Sequence, residues 1–134
     1  MFIANPNRQP DYSDLDLDFL MNRSTNDVSI KTGDAAIKRS IRNLIFTNFY
    51  ERPFQSGIGS GVRDLLFEPT TTVTQFQLQK VIRLCIENFE PRVKLTNVVV
   101  SYDEDEYGFN VRLEYIILNT NLPIVTTMFL ERIR

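Results

Sequence analysis

The sequence predicts an α+β fold: an N-terminal strand or hairpin, two main helices plus a short helical turn, and a C-terminal three-stranded antiparallel meander. Three observations predict it. Apolar residues recur at helical spacing between residues 34 and 46 and again between 72 and 89. From Val98 onward they alternate with polar residues. Short connections join the alternating segments, as antiparallel neighbours require. The chain has 134 residues, 43% of them apolar, with ten Phe and five Tyr, which is enough for one core. Its 24% charged content is that of an ordered globular protein.

Residues 1–11, with Pro6 and Pro10, are read as an arm without a core of its own, and residues 12–134 as a single domain. Leu15, Leu17 and Phe19 alternate with Asp14, Asp16 and Asp18, so a strand is expected with the Asp row on its solvent side. Asn22 to Asn26 is turn-like, and Val28 and Ile30 fit a short return strand. Gly33-Asp34 opens the first helix, with Asp34 as its N-cap. Ile37, Ile41, Leu44 and Ile45 form its apolar face, and Lys38, Arg39 and Arg42 lie off that face. Residues 47–61, with Pro53, Gly57, Gly59 and Gly61, are a structured loop whose glycines are expected to supply positive φ. Val62 to Phe67 is a short helical turn carrying Leu65, Leu66 and Phe67.

Thr72 and Gln75 read as a capping box for the next helix. Leu78, Val81, Ile82, Cys85 and Phe89 make its inward stripe. The helix stops at Glu90-Pro91, because proline disfavours the α conformation of the residue before it. Val98, Val100 and Tyr102 alternate on the first strand of the meander. Phe109, Val111, Leu113 and Tyr115 alternate on the second, and Ile124, Thr126, Met128 and Leu130 on the third.

Charge and composition exclude several functions. The net charge of −2 argues against a general nucleic-acid binder. The distribution is uneven: net −3 over residues 1–30, +4 over 31–100 and −3 over 101–134. Such a chain can close on itself or dock onto partners of mixed sign. The lone Cys85 permits no intrachain disulfide and is expected to be a buried core thiol in a reducing compartment. There is no His, which removes the usual proton shuttle and a Cys/His zinc site. No apolar run is long enough for a membrane span, and residues 1–10 lack a signal-peptide core, so synthesis in the cytoplasm is expected.

No catalytic set assembles. The acidic run Asp103-Glu104-Asp105-Glu106 is too short and too contiguous for a calcium loop and reads as a solvated hairpin. The Gly57–Gly61 run lacks the Lys-Ser/Thr of a phosphate loop. A lysozyme-like reading needs two carboxylates across a cleft, with Glu51 and Glu90 as the pair to test. No nucleophile, base and oxyanion site come together, so a binding or structural protein is expected, with no cofactor and no metal.

The tripeptide Glu90-Pro91-Arg92 is the unusual feature. Helices commonly end on Gly or Asn, whereas here two opposite charges flank a proline at a helix-to-strand corner. Held there, both side chains are placed for presentation to a partner. Without a partner they would form a local surface pair worth ~0–1 kcal/mol.

Four segments then carry a resemblance. They are Asp14 to Phe19; Arg52-Pro53-Phe54 with Gly57 and Gly59-Ser60; Asp64-Leu65-Leu66-Phe67-Glu68-Pro69; and Asn88-Phe89-Glu90-Pro91-Arg92-Val93. In this order, from about residue 12 to about residue 132, they resemble the baseplate wedge (sheath-initiator) family of contractile phage tails, the gene product twenty-five type, which includes a type VI secretion baseplate subunit. The resemblance implies a virion structural protein that binds the other wedge proteins and templates the first ring of tail sheath. It implies docking on the wedge bundle through Glu90, Pro91 and Arg92. It implies sheath strand addition at the strands carrying Val98, Val100 and Tyr102 and carrying Ile124, Thr126, Met128 and Leu130. Arg52, Pro53, Phe54, Gly57 and Gly59 then form a structural loop. Family members often have Gly where this chain has Tyr50. A cell-wall lysozyme and a small regulatory adaptor of the same fold are the alternatives, and neither nucleic acid nor membrane is an expected partner.

Overall fold

The computed structural model describes residues 13–15, 21–22, 27–28 and 30–133. The expected arm, residues 1–11, lies outside them, as does the alternation from Asp16 to Phe19. Among the described residues four short strands come first: β1 (Ser13–Leu15), β2 (Met21–Asn22), β3 (Asp27–Val28) and β4 (Ile30–Thr32). β1 pairs antiparallel with β4, Ser13 opposite Thr32, and β2 with β3, Met21 opposite Val28. Of the expected return strand, Val28 lies in β3 against β2 and Ile30 in β4 against β1.

Helix α1 (Gly33–Phe46) buries Ala36, Ile37, Ile41, Leu44 and Ile45, the expected stripe plus one alanine. It begins at Gly33, which has a φ of 61°, so Asp34 lies in the first turn and is not the cap. An acidic side chain there still favours the positive end of the helix dipole. The short helix α2 (Val62–Leu66) buries Val62 and Leu66.

Helix α3 (Thr72–Phe89) is capped one residue earlier than the sequence pattern indicates. The Thr71 hydroxyl accepts from the Thr74 N–H at 3.2 Å, and the Thr74 hydroxyl donates to the Pro69 carbonyl at 2.6 Å. The cap is thus Thr71 with Thr74, not Thr72 with Gln75. The buried stripe is Thr74, Leu78, Ile82, Cys85 and Ile86, while Val81 and Phe89 are half-buried. Ile86 replaces Phe89 because it follows Ile82 by four residues and stays on the line facing the sheet.

The meander follows: β5 (Val93–Asp103), β6 (Gly108–Ile117) and β7 (Leu122–Glu131), in spatial order β5-β6-β7 and antiparallel throughout. Inward residues on β5 are odd-numbered at Val93 and Leu95 and even-numbered from Val98 to Tyr102. A bulge between Leu95 and Asn97 makes that switch, so one strand keeps a single face on the core through both halves. α3 packs on β5 and α1 packs on α3, so both helices cover one face of the sheet. Ile37, Ile41, Ile82, Phe109, Leu113 and Tyr115 meet in the core. Each such side chain contributes roughly 1.5–3 kcal/mol before chain entropy is counted.

Candidate functional site

The chain leaves α3 at Glu90, whose φ of −122° and ψ of 82° lie outside the helical region, as Pro91 demands. Its N–H still donates to the Ile86 carbonyl at 2.9 Å, so the last turn stays closed. The side chain turns inward and is 3% exposed. Arg92 Nε donates to Glu90 Oε1 at 2.7 Å and Nη2 to Oε2 at 3.0 Å. The Ser40 hydroxyl of α1 donates to the same Oε2 at 2.5 Å. On its other side the guanidinium forks onto Asp14 of β1, with both N–O distances 3.3 Å. One planar cation thus joins two carboxylates and ties β1, α1 and the α3–β5 corner together.

This corrects two expectations. The charges of the corner are not displayed, since Glu90 is buried and Arg92 is 20% exposed. Nor does Asp14 sit on a plain solvent face, since it pairs with Arg92. At the corner itself Pro91 is the exposed residue. Burial alone would push the Glu90 carboxyl up, but the hydrogen bonds from Arg92 and Ser40 and the Arg92 charge outweigh it and hold it below the usual carboxylate range. The bonds to Glu90 and Asp14 raise the Arg92 pKa further against the opposing effect of burial, so the cation is permanent.

In the loop after α1, Arg52, Pro53, Phe54 and Gly57 are exposed, and Gly59 is buried. The expected positive φ falls on Tyr50 (68°) and Phe54 (64°), not on Gly57, Gly59 or Gly61. Tyr50 carries its side chain in that left-handed conformation, at a cost of roughly 1–2 kcal/mol. Gly59 is required for a different reason: a Cβ there would lie 2.7 Å from the Asn48 carbonyl carbon. Ser60 donates to the Ile45 carbonyl at 2.5 Å and so satisfies the end of α1. Glu51 accepts from the Asn48 N–H at 3.0 Å and from its side-chain amide at 2.8 Å, which folds the loop.

The sheet has two outer strands among the described residues, β5 and β7. Val98, Val100, Tyr102, Ile124, Thr126, Met128 and Leu130 all face the helices, with Val98 and Leu130 fully buried. What these strands offer a partner is backbone, not those side chains. Pro123 sets which groups point outward. It pairs with Ile116 but has no N–H to give, so it occupies a position whose backbone faces away from β6. The register of β7 is unbroken, so Val125, Thr127 and Phe129 share that outward direction. Thr126 is held to β6, and its hydroxyl lies 3.2 Å from the Tyr115 hydroxyl.

Chemistry elsewhere is sparse. Cys85 is buried, its thiol pushed up to about 11 by desolvation, and it lies 3.4 Å from the Gly59 carbonyl. Asp103 Oδ1 accepts from the Asp105 and Glu106 N–H groups, so the acidic run is a self-bonded hairpin turn. No group of three His, Cys, Asp or Glu among the described residues is placed to hold a metal ion. No helix among them is long and apolar enough to cross a membrane. Asp14 and Ser40 are the partners that sequence reasoning missed. They lie 78 and 50 positions from their contacts, and no local pattern links such positions.

A family model described as "Baseplate wedge protein gp25" matches residues 31–122. The baseplate wedge protein gp25 of Enterobacteria phage T4 is 32% identical over 117 residues, covering 87% of this chain and 86% of that protein. A Geobacter sulfurreducens protein described as a tail lysozyme has a similar crystal structure. Its TM-score is 0.68 and its identity 25%, over 73% of this chain and 89% of its own. A chain of the anti-feeding prophage baseplate aligns with a TM-score of 0.65 at 22% identity, over 89% of this chain and 84% of its own. A chain of the pyocin R2 baseplate aligns with a TM-score of 0.53 at 20% identity, over 82% and 96%. At those identities the last two show a shared fold.

Proposed function

This chain belongs to the baseplate wedge protein gp25 family, a structural part of the contractile-tail baseplate, and on that premise we propose how it works there. It docks on the other wedge proteins through the Glu90-Pro91-Arg92 corner. It then templates the first ring of tail sheath by adding sheath strands to the edges of its sheet. The observation that carries the second step is the outward backbone set Val125, Thr127 and Phe129 on β7. An edge of unpaired N–H and C=O groups accepts another chain's strand. In docking, Pro91 is the exposed apex, Arg92 offers its accessible fifth, and buried Glu90 holds Arg92 in place.

The experiment is sheath assembly on purified baseplates carrying Thr127→Pro. That change removes an outward N–H and leaves the bonds to β6 intact. Baseplates without sheath are expected, and normal sheaths on them would reject templating. For docking, Arg92→Lys keeps the charge and loses the fork. Loss of wedge co-purification from a folded variant is expected, and unchanged entry into baseplates would reject the corner as a contact.

The likeness to a protein described as a tail lysozyme raises a second reading, an enzyme. The carboxylates argue against it. A general acid needs a raised pKa, whereas Glu90 is held charged and buried, and Glu51 is engaged with Asn48. A turbidity assay on peptidoglycan is expected to give no clearing above buffer. Clearing abolished by Glu51→Gln or Glu90→Gln would establish the enzyme. A regulatory adaptor would instead capture a host protein in preference to wedge proteins. We place synthesis in the host cytoplasm, where the lone thiol stays reduced.

A further inference from the structure

We infer that the groove between α1 and the β7 edge selects its strand by charge, taking an extended segment of another chain with carboxylates at alternate positions. This rests on the strand-addition reading and adds the chemistry of the partner to it. The groove has a volume of about 300 Å³ and is lined by Lys38, Arg39 and Arg42 of α1 and by Thr126, Thr127 and Met128 of β7. Among the described residues its lining holds three cations and no carboxylate. Lys38 is exposed. The Arg42 guanidinium lies 5.6 Å from the Phe46 ring centroid, which steadies it along the helix.

The spacing fits a strand. Lys38 and Arg42 are four residues apart on a helix, ~6 Å of rise. Side chains two apart on a strand are ~6.6 Å apart and point the same way. A strand added along the groove therefore brings successive same-face carboxylates to Lys38 and then to Arg42. The backbone ladder supplies affinity without discrimination, and the two cations supply the discrimination. The β5 edge differs in sign: it carries one cation, Lys94, and runs into the acidic turn Asp103-Glu104-Asp105-Glu106. An acidic strand is attracted at β7 and repelled beside that turn, so the two edges are not interchangeable.

The test uses the full chain and capped peptides of about nine residues, with Glu, Gln or Lys at alternate positions and Val or Thr between them. Binding is read by fluorescence anisotropy. The Glu peptide is expected to bind about tenfold tighter than the Gln peptide at about 50 mM salt, with that advantage lost at about 500 mM. Lys38→Glu combined with Arg42→Glu is expected to reverse the order in favour of the Lys peptide. Equal binding of Glu and Gln peptides, no binding of the Glu peptide, or an order unchanged in the double variant overturns the inference.

N-methylating alternate amides of the Glu peptide separates this inference from the reading beneath it. If the three peptides bind equally and N-methylation abolishes binding, strand addition stands and charge selection falls. If the N-methylated Glu peptide binds as well as its parent, strand addition falls, and selection of a strand falls with it. Self-association of the free chain that the double variant abolishes would assign the groove to a second copy and overturn the partner proposed.

Discussion

The Glu90-Pro91-Arg92 corner and the β7 edge treat their polar groups in opposite ways. At the corner every charge has a partner inside the chain: Glu90 with Arg92 and Ser40, and Arg92 with Asp14. At β7 the inward side chains belong to the core, while the backbone of Val125, Thr127 and Phe129 faces outward from the sheet. The conspicuous charges are bonded within the fold, and the mostly apolar β7 turns alternate backbone groups outward. Corner substitutions should therefore cost stability first, and edge substitutions should cost assembly with little change in stability.

The largest effect expected is for Glu90→Gln. It leaves the buried side of Arg92 uncompensated, for a loss of about 3 kcal/mol by urea unfolding. A loss under about 0.5 kcal/mol would mean that the corner is a surface pair and would dissolve the contrast.

The same carboxylate sets a pH dependence. Its folded pKa is depressed, so its contribution is present above the unfolded value of about 4.3 and is lost as pH falls from there through the folded pKa. Acid titrations of wild type and Glu90→Gln should converge below that window. Parallel curves would contradict the internal role of Glu90.

Gly108 sharpens the comparison from the sheet side. A Cβ there would fall inside the van der Waals radius of the Phe129 ring and against the Leu130 carbonyl. Gly108→Ala should cost about 2 kcal/mol, and Phe129→Ala in the same chain should recover part of it. No recovery would mean that the backbone, not the ring, sets the fit. The smallest effect expected is for Thr127→Pro, below about 1 kcal/mol of stability, because its N–H points away from β6. A loss as large as that of Glu90→Gln would show that the outward assignment is reversed.

Much of this fold was legible because it is periodic. The apolar stripe of α1 and the alternation along β6 and β7 follow from spacing alone. Three kinds of feature were not. Parity fails where a bulge intervenes, as between Leu95 and Asn97. Glycine content misleads where close approach, not φ, is the constraint: Gly59 sits against Asn48 while Tyr50 and Phe54 take the left-handed backbone. Contacts across the fold, such as Asp14 with Arg92, leave no local trace. The odd composition of the corner marks it in the sequence, but whether it faces out or in depends on Asp14 and Ser40, far away in the chain. The alternation of β7 marks it as a strand, while its outward set follows only from the register that puts Pro123 opposite Ile116.

The most direct measurement is amide hydrogen exchange along β7, residue by residue, in the free protein and after sheath protein is added. Alternation is expected in the free protein: Val125, Thr127 and Phe129 exchange fast, and Ile124, Thr126 and Met128 slowly. Sheath protein is expected to slow the first set and leave the second unchanged. Protection of all six before sheath is added, or fast exchange of the outward three after it, would contradict strand addition at β7.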